Sequence, residues 1–238
     1  MTFTSQTLHE IAAIAKELGV EAAALLAVAE IESGGKTFAI IDGRQEPLIR
    51  FEGHYFDRRL SEPNRLKARA LGLASPTAGA IANPKTQAAR WTLLTKAAAI
   101  DRKAAFESVS WGLGQVMGSH WAWLGYASLD AFVDEARSSV AGQARLMARF
   151  IDKSGLAPAL NRKDWEAFAR GYNGPAYKRN AYHTRLAAAY ARYAETPANK
   201  VGPSTALPAK PAPARSGIAS WMRLIGTIAG LMGSVLRR

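Results

Sequence analysis

Two carboxylates stand where an otherwise apolar run ends, in Ala27-Val28-Ala29-Glu30-Ile31-Glu32-Ser33-Gly34-Gly35. Taking an ionised carboxylate out of water is expensive, so such a group either finds a partner or keeps its proton to higher pH. A carboxyl still protonated near neutrality is suited to general acid catalysis. Glu32 follows Leu25, Val28 and Ala29 by seven, four and three residues, on one helical stripe, and the glycines after it leave room for a substrate. Glu30 lies about 200° away round a helical wheel and points elsewhere. The bland alternative is a pair of exposed helix-end glutamates.

Other chemistries are poorly supplied. The 238 residues include no cysteine, which excludes disulfides, thiolate nucleophiles and Cys-ligated metal. The four histidines, His9, His54, His120 and His183, are not paired at helical metal-ligand spacing. Neither a metal nor any other cofactor is expected. The formal net charge of +12 implies attraction to a polyanion such as nucleic acid, a membrane surface or an anionic cell envelope. Six of the 31 Lys and Arg residues, and none of the 19 Asp and Glu, lie beyond residue 195, so half of that surplus rides on the C-terminal tail. Tryptophans 91, 111, 121, 123 and 165 sit at helical spacings among Leu, Ala and Val. That pattern fits core packing or sugar stacking better than stacking on bases, and nucleic acid is not the expected partner.

The elements that must position Glu32 are mostly helical. Ser5 or Thr7 before LHEIAAIAKEL reads as the cap of an amphipathic helix ending near Gly19. The next helix, about residues 20–31, is apolar all round, as a buried central helix would be. KTFAIIDGRQEPLIRF, two apolar runs about Asp42-Gly43, predicts a β-hairpin or an extended loop pair. Asn83-Pro84 opens a long helix to about Phe106, a cap followed by proline at its first position. Ser128 and Ser138 are expected to cap two more helices, with further ones over 164–170 and 176–194. The expected fold is mainly α, a helical domain with one small β element.

Two later segments add chemistry: Ser110-Trp111-Gly112-Leu113-Gly114-Gln115-Val116-Met117-Gly118 and Gly171-Tyr172-Asn173-Gly174-Pro175. Glu-Ser-Gly, Gly-Leu-X-Gln and Tyr-Asn-Gly, in that order, resemble soluble lytic transglycosylases and goose-type lysozymes. AVAEIESGG, DGRQEPLIRFEGHYF, DRKAAFESVSWGLGQVMGSHW and DWEAFARGYNGPAY together are more similar to the phage-type N-acetylmuramidases, the endolysins. The likeness covers roughly residues 8–190. It implies a lysozyme-like α+β fold and hydrolysis of the β-1,4 bond between N-acetylmuramic acid and N-acetylglucosamine in peptidoglycan. Glu32 matches the family's proton donor. Trp111 and Gln115 match a segment lining the glycan groove, and Tyr172 and Asn173 match the Tyr-Asn-Gly segment beside the catalytic carboxyl. Glycoside cleavage commonly uses a second carboxylate. Glu52, ending a predicted strand, is favoured over Glu107, which precedes the Trp-Gly-Leu segment and is equally suited to hold that turn by hydrogen bonding. Arg50 departs from the family pattern, which has an apolar residue there. A lytic transglycosylase, and a membrane-active wall-binding protein without catalysis, are the alternatives.

This reading divides the chain into a catalytic domain over 1–195, a Pro/Ala-rich linker over 196–215 and a cationic amphipathic helix over 216–238. On a helical wheel Ile218, Trp221, Leu224, Ile228 and Leu231 share one half, opposite Arg223, Gly230 and Arg237. Such a helix is expected to lie in a membrane interface and engage anionic lipid or lipopolysaccharide. Spanning the bilayer, at ~2.5–3.5 kcal/mol for a central Arg223, and docking on the domain are the alternatives. The N-terminus lacks the pattern of a secretory signal. The expectation is therefore a monomer made in the bacterial cytoplasm and acting on the wall in the periplasm.

Overall fold

The computed structural model describes residues 2–195. The expected linker and C-terminal helix lie outside the described residues.

Helix α1 (Ser5–Leu18) is capped by the hydroxyl of Thr4, which accepts the Thr7 N–H at 3.2 Å, rather than by Ser5 or Thr7. Helix α2 (Ala22–Ser33) follows, with Ala23 to Ala29 all buried, and it stops at Gly34 in the left-handed region, φ 62°. Strands β1 (Phe38–Ile41) and β2 (Arg44–Pro47) form the expected hairpin. Asp42 and Gly43, at φ 50° and 76°, make a two-residue turn whose twist suits an antiparallel pair.

Strand β3 (Ile49–Phe51) leaves that hairpin and joins a second antiparallel sheet, ordered β3-β4-β5, with β4 (Val109–Trp111) and β5 (Val116–Met117). The single β element read from the sequence is therefore two, because strands of two or three residues carry no readable period. Helices α3 (Gly53–Arg59), α4 (Glu62–Ala70), α5 (Gln87–Ala98) and α6 (Arg102–Glu107) fill the connection between β3 and β4. The long helix expected from Asn83 to Phe106 is two helices. Thr86 caps α5, and the Asp101 carboxylate breaks the run by accepting the Ala104 N–H at 2.9 Å to start α6. Asn83 does something else. Its amide bonds both the N–H and the C=O of Phe51, at 2.9 and 2.7 Å, and so stands in for a neighbouring strand.

Helix α7 (Leu129–Ser138) is capped by Ser128 as expected, whereas Ser139, not Ser138, caps α8 (Val140–Lys153). The described residues close with α9 (Ala157–Asn161), α10 (Trp165–Asn173), a 3-10 turn and α11 (Tyr182–Ala194). Two apolar cores result. One gathers α1, α2, α10 and α11; the other gathers β3, β4 and α3 to α7. Helix α8 serves both, giving Ala144, Met147 and Ile151 to the first and Leu146 and Phe150 to the second. Tyr172 packs against both cores, which puts it on their seam.

Candidate active site

Helix α11 packs along α2 and brings Tyr182 to the carboxylate at its end. The Tyr182 hydroxyl donates to Glu32 Oε1 at 2.6 Å. Glu32 is half-buried, and protein surrounds its carboxyl closely enough that burial pushes its pKa up to about 7. The Tyr182 hydrogen bond and the charge of Arg185 oppose that rise only in part. Glu32 Oε2 has no hydrogen-bond partner among the described residues.

Burial, with the Glu32 charge adding to it, raises the Tyr172 and Tyr182 phenols well above their usual value, so both stay protonated donors beside the carboxyl. Ser33 bonds back to the Ala29 C=O at 2.7 Å and accepts the Gly35 N–H at 3.1 Å, locking the helix end that aims Glu32. Space beside Gly34 is open, whereas a Cβ on Gly35 would meet Thr2 Cγ2 at 1.9 Å. Room for a ligand thus lies at the first glycine only. Glu30 points away, bonded by Thr2, Tyr193 and Arg192. Burial alone would raise its pKa, but these partners outweigh it and hold the carboxyl below its usual range.

Tyr172 ties this corner to the second expected segment. It stacks on Phe168, with ring centroids 5.2 Å apart, and its hydroxyl donates to the Gly114 C=O at 2.7 Å. Gly114 belongs to the turn between β4 and β5. In that turn Gln115 is half-buried at φ 47°, and its amide donates to the Gly112 C=O at 2.8 Å. Gln143, fully buried on α8, accepts the Leu113 N–H at 3.0 Å and fixes the turn from behind. Glu32, Tyr172 and the Gln115 turn are therefore brought together. Asn173, buried, is the last residue of α10.

Trp111 is a correction. Its side chain is wholly buried, packed against Trp91 and Phe106, with the indole N–H donating to the Phe106 C=O at 3.1 Å. It has no surface to offer a sugar and serves as a core support for the turn.

The other two carboxylates belong to the second core. Glu52 sits between β3 and α3, its N–H bonded to the Ser108 C=O at 2.8 Å, so it is fixed to the strand that leads to the Gln115 turn. Arg50 Nε meets its Oε1 at 2.8 Å. Burial raises the Glu52 pKa even so, with Arg50 opposing. The cation at position 50, out of pattern for the family, is thus the partner of the buried acid two residues on. Glu107 accepts the Trp121 indole N–H at 3.0 Å and lies 3.5 and 3.6 Å from Arg59 and Lys103, an anchored position. The sequence reading missed Tyr182, Arg185 and Gln143. The first two stand three residues apart on α11 and betray themselves only once that helix is laid against α2. Gln143 is a polar residue within an apolar helical stripe, one turn before Met147.

Among the described residues no group of three or more His, Asp or Glu side chains could hold a metal ion, and no helix is long and apolar enough to cross a membrane. A carboxyl whose pKa is raised by burial, at the end of a buried helix and within reach of the Tyr172 phenol's field, has the properties that proton donation in glycoside cleavage needs. The family model for N-acetylmuramidases matches residues 21–194, and the chain belongs to that family. Among four matching solved chains, the crystal structure of a Burkholderia AP3 phage endolysin superposes with a TM-score of 0.68 at 36% identity. The match covers 79% of this chain and 71% of that one. No curated protein matches the sequence. The protein is a muramidase of the phage endolysin type, with the mainly helical fold of that class and peptidoglycan as its substrate.

Proposed function

We propose that Glu32 is the general acid that cleaves the β-1,4 bond between N-acetylmuramic acid and N-acetylglucosamine. The observation that carries this reading is a half-buried carboxyl, one oxygen held by Tyr182 and the other free, with a pKa near 7. At neutral pH a large share of such a group holds a proton. It passes that proton to the glycosidic oxygen as the bond to the anomeric carbon breaks, and the leaving sugar departs as an alcohol. Water adds to the anomeric carbon and gives up its proton to the second carboxylate. Glu52 is the better candidate for that role, because burial raises its pKa despite Arg50 and its backbone is tied to the strand that leads to the Gln115 turn. Gln115 and Tyr172 line the bound glycan, and Asn173 holds the corner behind Tyr172.

The test is Glu32→Gln on purified sacculi, with released fragments read by mass spectrometry. Wild type is expected to release reducing ends, and the folded variant to be slower by about 10²–10⁴-fold, the usual contribution of a positioned proton donor. Near wild-type release by the variant would remove the assignment. Fragments with 1,6-anhydro ends would instead make the reaction a lytic transglycosylation.

For residues 216–238, which lie outside the described residues, the proposal is an interfacial helix that engages anionic lipid or lipopolysaccharide. Wide apolar spacing, Arg223 and the Arg237-Arg238 end support it. Deleting Ser216–Arg238 is expected to spare digestion of permeabilised walls and to weaken killing of intact Gram-negative cells. Equal potency on intact cells would overturn it. The enzyme is proposed to act as a monomer.

A further inference from the structure

Trp123 is the large aromatic that the folded domain leaves most open to solvent, 45% exposed, in the turn that follows β5 and the 3-10 segment Gly118–His120. Its position is not accidental. The indole meets the His120 ring edge-on at 5.6 Å and the Phe150 ring at 5.9 Å, and His120 meets Phe150 at 5.6 Å, a triangle of rings. Phe150 in turn meets Tyr172 edge-on at 5.3 Å. Tyr172 is the ring whose phenol bonds the Gly114 C=O and feels the charge of Glu32. One buried ring therefore separates the exposed indole from the catalytic corner. His120 also feels the charge of Arg59 on α3, the helix that follows Glu52.

An exposed tryptophan held rigid by two rings behind it has an apolar face with little rotamer freedom left to lose, the form in which an aromatic side chain binds with least entropic penalty. A pyranose ring presents an axial C–H face of matching size. The indole N–H and the neighbouring imidazole supply polar edges for the acetamido and hydroxyl groups that rim it. Burial and the Arg59 charge depress His120 to about 4, so the imidazole is uncharged at neutral pH and adds no repulsion of its own to the cationic surroundings.

We propose that Trp123, braced by His120 and Phe150, is a stacking platform for an N-acetylhexosamine ring of the glycan strand, a subsite next to the scissile bond. The proposal rests on the reading of Glu32 as the acid, because that fixes where the bond lies. Trp123 is on this account a positioning residue that sets affinity and preferred chain length, not the rate of bond cleavage.

The test titrates a tetrasaccharide of alternating N-acetylglucosamine and N-acetylmuramic acid into the full chain carrying Glu32→Gln. Calorimetry gives affinity and tryptophan fluorescence gives location. Adding Trp123→Ala is expected to weaken binding on the order of tenfold, as loss of an aromatic anchor does. Trp123→Phe should keep most of the affinity while losing most of the fluorescence change, a pairing that a merely structural role would not produce. In active enzyme, Trp123→Ala should raise KM on soluble glycan with kcat little changed. Undiminished affinity in Trp123→Ala, or a full fluorescence change in Trp123→Phe, would overturn the platform. Hydrolysis of the tetrasaccharide by Glu32→Gln would break the assignment of the acid instead, and that outcome is separable because the Trp123 comparison reads affinity rather than turnover.

Discussion

At position 32 two demands conflict. A buried carboxyl is held back from ionising, which suits proton donation, yet a folded protein is destabilised by any such group once it does ionise. The sign follows from linkage: the folded pKa is about 7 against an ordinary value of 4.5, so the native state binds the extra proton between those limits. Stability contributed by Glu32 is full below about pH 4.5 and is lost as pH rises towards 7, to a maximum of about 3 kcal/mol at ~1.4 kcal/mol per pH unit. Glu32→Gln, neutral throughout, is therefore expected to melt higher than wild type at pH 8 and by a much smaller margin at pH 5. A gap independent of pH, measured by calorimetry, would mean that the carboxyl is solvated. Tyr182 supplies a second check. Its hydroxyl favours the ionised form of Glu32, so Tyr182→Phe should move the alkaline limb of the pH–rate profile upward, and a downward shift would reverse the assigned role of that bond. Glu32 itself was legible in the sequence, as an acid breaking an apolar helical run. Tyr182 was not, because it comes from 150 residues away and only tertiary packing of α11 on α2 makes the contact.

Caps and turns, one scale up, decide where the side chains of the site point. The β4–β5 turn is closed by backbone geometry that few residues accept. A Cβ on Gly114 would lie 2.6 and 2.7 Å from Met147 and 3.0 Å from the Tyr172 hydroxyl. Gly114→Ala must therefore push the turn off Tyr172, with a loss of about 1–3 kcal/mol in stability, as overpacking brings, and a fall in activity. Chemical unfolding and sacculus digestion check the two effects, and a variant with unaltered activity would detach the turn from the site. Arg50 is a comparable case on β3, because truncating one partner of a buried ion pair leaves the other charge uncompensated. Arg50→Met is expected to destabilise the fold by about 3–5 kcal/mol, and Glu52→Gln in the same chain to recover part of that loss. Additive losses in this double-mutant cycle would show that the pair is not coupled. Helices were legible in the sequence to within a few residues because caps such as Ser128 and Gly19 are chemical signals. The split between α5 and α6 was not, since Asp101 lies inside an otherwise good helical run. Helices α3 and α4, dense in charge and only seven and nine residues long, show too little apolar period to be read.

Across the whole molecule, the site exists because two cores meet along one helix. Alternate faces of α8 carry Met147 into the core that holds α2 and Glu32, and Leu146 into the core that holds β3 and Glu52, both residues with no solvent exposure. No loop insulates one lobe from the other at this point, since successive residues of a single rod belong to different cores. Melting α8 would strip both lobes of apolar cover at once, so the lobes are expected to unfold as one cooperative unit. Far-UV signal, dominated by helices on both sides, and near-UV signal from Trp91 and Trp111 of the second core should then share a midpoint. The sharper form of the test uses Leu146→Ala and Met147→Ala. Each should lower the unfolding free energy by about 2–5 kcal/mol, the usual range for emptying a packed aliphatic site. Although the two side chains face opposite cores, each substitution should shift both signals together. A Met147→Ala chain whose far-UV signal falls early while the tryptophan signal keeps its wild-type midpoint would show that the lobes fold separately. The seam between Glu32 and Glu52 would then owe its geometry to docking of two preformed halves rather than to a common core.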